Sequence, residues 1–227
     1  MIIGLQNGYP SQTYWSNHNK MEEFFQVSKE ERRELNLRYF AFRSWSRELC
    51  IFAAMHPMLW NVKMEPVLKS LRVTHVLSLE ERFMGNMPAR LRAMGVSHTI
   101  VPVEDFDAPT WEQVEEICKY LADRSSHDRI LLHCRGGNGR TGTVLALLGI
   151  VFGTPASTDA KLPVECFEGT FQVSTRLATA IAHAREQDTW GLSVETIEQI
   201  QGLVSFEKNL TALRNLLGIE SHHDTLN

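Results

Sequence analysis

The feature that most constrains this chain is the run RILLHCRGGNGRTGTVLALLGIVFG, residues 129–153. Its first six residues form a short apolar segment that reads as a buried strand, and TVLALLGIVFG reads as a buried helix. Between them, three glycines fall within four residues. A buried strand ending in such a turn and opening a helix places several main-chain N–H groups at the positive end of a helix dipole, which makes an anion site. Glycine lets the turn curl so that successive amides point inward, with no Cβ in the way of a tetrahedral oxyanion. Phosphate is the natural guest.

The segments before this run alternate in type. YFAF and LCIFAAM read as strands, MEPVLKSLR as a helix leading into the strand VTHVLSL, and MPARLRAMG as a short helix closed by Gly95 before the strand SHTIVPV. Pro109 and Thr110 introduce WEQVEEICKYLADR, which sets Trp111, Val114, Ile117 or Cys118, and Leu121 on one helical face. The order predicts an α/β fold: a central, mostly parallel sheet of four to five strands flanked by helices. After the glycine turn, TPASTDAKLPVECFEGT carries two prolines and several turn formers and reads as a loop or an inserted lobe. FQVSTRLATAIAHARE (Phe171, Leu177, Ile181) and VETIEQIQGLVSFEKNLTALRNLLG (Val194, Ile197, Ile200, Val204) then make the C-terminal third helical. Ser28 and Glu31 form a capping-box pattern that starts a short charged, solvated helix. The expected organisation is an arm and short helix over 1–37, a catalytic domain over 38–218 with a loop insertion at 154–169, and a flexible tail over 219–227.

A formal net charge of −4 in 227 residues lacks the basic footprint of a duplex nucleic-acid binder. Cys50, Cys118, Cys134 and Cys166 are scattered, without a CxxC pair or a zinc-finger partner histidine, so neither a structural metal nor a disulfide framework is expected. No stretch reaches the length of a membrane span and the N-terminus has no signal-peptide pattern. These features point to a cytoplasmic protein with reduced thiols.

Three phosphate-binding turns compete for the central motif. A nucleotide P-loop needs GxxxxGK, and Arg140 stands where no lysine does. The dinucleotide pattern GxGxxG matches literally at Gly137, Gly139 and Gly142, but it needs a second strand ending in an acid, and the segment KLPVE is interrupted by Pro163 in what would have to be an interior strand. The third reading uses every residue: five residues separate Cys134 from Arg140, so the turn brings thiol and guanidinium to one anion. HCRGGNGRTG resembles the HCxxGxGR(S/T)G signature of the cysteine-dependent protein tyrosine phosphatases, the dual-specificity branch in particular. The likeness is clear over roughly residues 68–153.

The chemistry of the residues agrees. Amides at a helix N-terminus and a nearby guanidinium favour the thiolate of Cys134, and Arg140 can grip two phosphoryl oxygens at once. The resemblance implies a phosphocysteine intermediate on Cys134, without metal or cofactor. Arg135, Gly136, Gly137, Asn138, Gly139 and Arg140 would hold the phosphoryl group, His133 would orient the turn, and Thr141 would hydrogen-bond the sulfur. A general acid is also required, and VPVEDFDAPTW offers Glu104, Asp105 and Asp107. The family pattern D-x-x-x-P selects Asp105 with Pro109, leaving Asp107 second. The segment ETIEQ, residues 195–199, is similar to the family's QTxxQ, with Glu195 in place of the first glutamine; Gln199 is an accessory candidate or an ordinary exposed helix residue. The expected substrate is a phosphorylated protein, through phosphotyrosine or phosphoserine/threonine. A phosphoinositide or RNA 5′-phosphatase of the same chemistry, or a phospho-binding scaffold with little turnover, are the alternatives.

Overall fold

Residues 38–43 and 48–54 lie side by side as an antiparallel pair, and three further strands add in parallel. The computed structural model describes residues 27–43, 48–59, 64–82, 84–153, 160–186, 188, 191 and 193–219. Strands β1 (Arg38–Arg43), β2 (Glu48–Ala54), β3 (His75–Ser78), β4 (Ser97–Ile100) and β5 (Arg129–His133) form one sheet in the order β1-β2-β5-β3-β4. Only β1 runs antiparallel, pairing Phe40 with Ile51; β5 lies between β2 and β3, with Leu131 opposite both Phe52 and Val76. The α/β expectation holds, and the sheet is mixed because β1 returns along β2.

Helices cover both faces, as a parallel sheet demands. Strand residues alternate: Phe40, Ile51, Leu77 and Leu132 belong to one apolar core and Tyr39, Phe52, Val76 and Leu131 to the other. The second face is covered by α2 (Met64–Ser70) and α3 (Met87–Ala93). The first carries α4 (Trp111–Ala122), α5 (Gly139–Phe152), α6 (Thr175–Glu186), α7 (Ile197–Lys208) and α8 (Leu210–Leu216). Helix α5 is buried along nearly its whole length, which explains why its sequence shows no polar face. The short helix α1 (Lys29–Glu34) has the expected Ser28/Glu31 capping box and no buried residue. Thr110 caps α4 in the same way, and Gly95 closes α3 with φ +72°.

Several expectations need correction. Within 154–169, the described part is not a loop: β6 (Lys161–Cys166) pairs antiparallel with β7 (Gly169–Ser174) in a separate two-stranded hairpin. Pro163 is tolerated because a two-stranded ribbon has only edges; residues 154–159 lie outside the described residues. Phe171 accordingly belongs to β7, and helix begins only at Thr175. The last helical stretch breaks at Asn209 into α7 and α8, and Val194 precedes it with φ +61°. The buried face of α7 is Ile200, Leu203 and Phe206, with Gln199, rather than the run through Ile197 and Val204. Finally, the border drawn at 37/38 cuts through the core, since Val27, Leu35 and Leu37 are buried, and Ile219, placed in the tail, is buried too. Most of the 1–37 arm and the rest of the tail lie outside the described residues.

Candidate active site

The turn after β5 sits where the parallel strands end, and three chain segments press against it. Gly137 has φ +83°, and a Cβ there would stand 2.6 Å from the Ala54 carbonyl carbon and 2.8 Å from the Met55 nitrogen. Only glycine permits both the left-handed backbone and this approach to the end of β2. A Cβ on Gly142 would lie 2.6 Å from that of Ser193, so the first turn of α5 packs directly on the segment before α7.

Polar groups complete the support. The buried Arg38 donates from Nη2 to the Gly137 carbonyl and from Nη1 to Ser193 Oγ at 2.7 Å, with the buried Asp188 carboxylate 3.9 Å away. Burial pushes the Arg38 guanidinium down, and Asp188 opposes that shift. Asn36 donates from Nδ2 to Asn138 Oδ1 at 2.5 Å and to the Gly136 carbonyl at 3.3 Å. The His56 N–H donates to the Arg135 carbonyl at 2.9 Å. His133 is fully buried; its Nδ1 lies 3.0 Å from the Cys134 carbonyl oxygen, and its Nε2 lies 2.6 Å from Ser78 Oγ. Burial, with His56 alongside, pushes His133 down to about 3, so the ring is neutral.

Cys134 and Arg140 are both buried at this turn. Arg140 Nη1 donates to Glu80 Oε2 at 3.1 Å and to the Val103 carbonyl at 2.9 Å, and Nη2 lies 2.8 Å from Asp105 Oδ1. Of the three loop carboxylates, only Asp105 is brought to the turn. Glu104 faces Arg82 at 3.3 Å, and Asp107 is exposed. The loop is unusual between them: Phe106 has φ +69°, is 54% exposed, and its carbonyl accepts a 2.6 Å hydrogen bond from Thr196 Oγ1.

The residues of the ETIEQ segment close the opposite side. Gln199 is fully buried, which overturns its reading as an exposed helix residue. Its Oε1 accepts from the Glu195 N–H at 2.7 Å, and its Nε2 finds no partner among the described residues, lying 2.7 Å from where a Gly139 Cβ would stand. The Glu195 carboxylate meets that same point; burial pushes it up, the Gly139 amide opposing. One expected contact is not made. Thr141 Oγ1 is buried without a hydrogen-bond partner among the described residues, so the sulfur of Cys134 receives no bond from it, the hydroxyl being enclosed by the packed start of α5. Arg135 is exposed at the rim.

Sequence reasoning passed over Asn36, Arg38, His56, Ser78, Glu80, Asp188 and Ser193. Two carried a signal: Arg38 directly precedes the apolar run YFAF, and Glu80 directly follows VLSL, both unfavourable places for a charge without a partner. Among the described residues, no group of three or more His, Cys, Asp or Glu is arranged to hold a metal ion, and no helix is long and apolar enough to cross a membrane. The four cysteines are free thiols.

The site brings together a thiol, a guanidinium, a glycine-rich turn that opens a helix and a carboxylate at the rim, groups whose chemistry suits an oxyanion. Comparison with known proteins gives the same picture. Residues 55–199 match the family model described as PTP-SAK, Swiss Army Knife protein, DSP-PTPase phosphatase domain. The fold is similar to kinase associated phosphatase, solved with a serine for its catalytic-site cysteine (TM-score 0.57, 19% identity, 78% of this chain and 97% of that one). It is also similar to Tk-PTP in a mutant form (0.55, 22%, 76% and 97%) and to PTPMT1 in complex with PI(5)P (0.53, 17%, 71% and 92%). At these identities the likeness is one of fold. Two uncharacterized proteins of Methanocaldococcus jannaschii are 40% and 38% identical over 55 residues, 24% of this chain; the chain spans 37% and 35% of their lengths.

Proposed function

Because the chain belongs to the PTP-SAK family of DSP-PTPase phosphatase domains, we propose that it hydrolyses phosphate monoesters of proteins through a phosphocysteine intermediate, acting on phosphotyrosine and on phosphoserine or phosphothreonine. The observation that carries this reading is the convergence of Cys134, Arg140 and Asp105, with Asp105 Oδ1 2.8 Å from Arg140 Nη2 on the turn that holds the thiol. In the reaction, the Cys134 sulfur attacks phosphorus, the P–O ester bond breaks, and its electron pair goes to the departing oxygen, which takes the proton of Asp105. Water then attacks the phosphocysteine, giving its proton to Asp105 and releasing phosphate and the thiolate.

Arg140 and the amides of residues 135–140 hold the phosphoryl oxygens, and Glu80 with the Val103 carbonyl presets the guanidinium plane. The bound phosphoryl group replaces Asp105 on Arg140 and frees that carboxyl for the leaving oxygen. His133 orients the Cys134 peptide. The exposed Phe106 beside Asp105 offers a ring to stack on an aryl ester, which favours phosphotyrosine over an inositol headgroup.

A substrate panel tests the reading: phosphotyrosyl and phosphoseryl peptides, phosphoinositide vesicles, and RNA with a 5′-phosphate. The phosphopeptides should turn over fastest, with the phosphotyrosyl peptide first. Preferred hydrolysis of phosphoinositide or RNA would reassign the substrate. Tight binding with no turnover of any member would make the domain a phospho-binding scaffold.

A further inference from the structure

Three imidazoles gather behind the nucleophile, and the mechanism above uses one of them. Beyond the His133 contacts to the Cys134 carbonyl and to Ser78, the Ser78 hydroxyl lies 2.8 Å from His98 Nε2. His98 is on β4, the edge strand of the sheet. Its register partner is Val76, two residues before Ser78 and therefore on the same face of β3.

Counting donors and acceptors settles where the protons are. A carbonyl oxygen can only accept, so His133 Nδ1 carries the hydrogen directed at Cys134. The ring is neutral, so its Nε2 is a bare acceptor, and Ser78 must donate to it. The Ser78 oxygen then accepts from His98 Nε2–H. The result is a one-way chain, His98 to Ser78 to His133 to the Cys134 carbonyl, in which every donor points its positive end toward the turn. Linked hydrogen bonds in a buried setting polarise one another, so the outermost donor strengthens the innermost.

We propose that His98 is a positioning residue for the nucleophile, holding the tautomer of His133 and the orientation of the Cys134 peptide through Ser78. This rests on the reading of Cys134 as the nucleophile. The ionisable groups around the chain are His56, whose ring stands edge-on to His133 at 4.7 Å between centroids, Glu80, which acts on His56, and Arg140, which acts on His133. None of them hydrogen-bonds Ser78 among the described residues, so replacing His98 removes one donor and leaves those charges in place. His98 is only half-buried, so the sheet can accept other side chains there.

The test is the pH dependence of Cys134 alkylation by iodoacetamide, followed by mass spectrometry at that cysteine, which needs no turnover. The variants are His98→Gln, His98→Leu, Ser78→Ala and the double variant Ser78→Ala/His98→Leu, with thermal melts to confirm that each is folded. The Gln variant keeps an N–H donor and should follow the wild-type profile. The Leu variant should move the profile up by about half a pH unit, Ser78→Ala at least as far, and the double variant no further than Ser78→Ala. A Leu profile coincident with wild type, a Gln profile shifted as far as that of Leu, or additive shifts in the double variant would overturn the proposal. Absence of selective Cys134 alkylation in the wild-type protein would instead overturn the reading of Cys134 as nucleophile.

Discussion

The turn carrying Cys134 and the loop carrying Asp105 meet at Arg140, yet they are built in opposite ways. The turn is buried at Gly137, Asn138 and Gly139, and it is held by Asn36, Arg38 and the His56 amide, all remote in sequence. The acid loop has an exposed Phe106 in a left-handed conformation, held by Thr196 and by the ion pair of a partly exposed Asp105. The contrast teaches what each part must do. A seat for a dianion gains from groups that need no rearrangement when charge arrives. In the proposed reaction the Asp105 carboxyl has to leave Arg140 and reach the leaving oxygen, so a loop with few ties suits it.

The largest break is at the turn. Cys134→Ser should reduce turnover to background while vanadate still binds, because the amides and Arg140 remain; the two readouts are steady-state hydrolysis and vanadate titration of thermal stability. Residual turnover within tenfold of wild type, a span of about 1.4 kcal/mol, would deny the thiol its role.

On the acid loop the loss should depend on the substrate. Asp105→Asn should lower kcat by roughly 10²–10⁴-fold for alkyl phosphates and much less for aryl phosphates with good leaving groups. Asp107→Asn should stay within roughly twofold on both. A leaving-group series measured on the two variants separates them, and reversed behaviour would transfer the acid to Asp107.

Removing a support of the turn should appear in stability as well as in rate. Arg38→Met takes a cation from beside the buried Asp188 carboxylate and removes the Nη2 donor to the Gly137 carbonyl, at a cost of about 3–5 kcal/mol. Urea unfolding measures it. The acid loop has no comparable buried charge, so Glu104→Gln, which breaks only the exposed pair with Arg82, should change stability by about 0–1 kcal/mol.

A further effect is one of pH. Burial pushes His56 down to about 4 and His133 to about 3, from an ordinary 6.5. Both bind protons more readily in the unfolded chain. Their neutral burial therefore favours the fold fully above pH 6.5, and that contribution is lost as pH falls from there toward 4 and then 3. Between about pH 6.5 and 4 the loss should be on the order of 5 kcal/mol, seen as a falling Tm; a His56→Phe variant should show a shallower slope. A slope unchanged by that substitution would locate the acid sensitivity elsewhere.

How much of this was legible in sequence depends on distance along the chain. The turn was, because Cys134, the glycines and Arg140 occupy seven consecutive positions and their spacing alone makes one short turn between β5 and α5. The caps at Ser28 and Thr110 and the stop at Gly95 were also legible, being contests within one helical turn. The β6–β7 hairpin was not. Its exposed Leu162 and Pro163 obscure the alternation that marks a half-buried strand, and it gains its place by packing Val164 and Val173 into the core.

The sequence by itself therefore determined the chemistry at the centre: a thiol, a guanidinium and an amide nest joined by one short stretch of backbone, with a carboxylate loop some thirty residues before it. Only the tertiary structure decided which carboxylate reaches Arg140, that Gln199 is buried, and that Arg38, Asn36 and the Ser78–His98 pair stand behind the turn. The physical reason is that a contiguous motif is constrained by bond geometry and local sterics. The partners of a buried polar group are chosen by whatever distant segments the sheet and helices bring within hydrogen-bond distance.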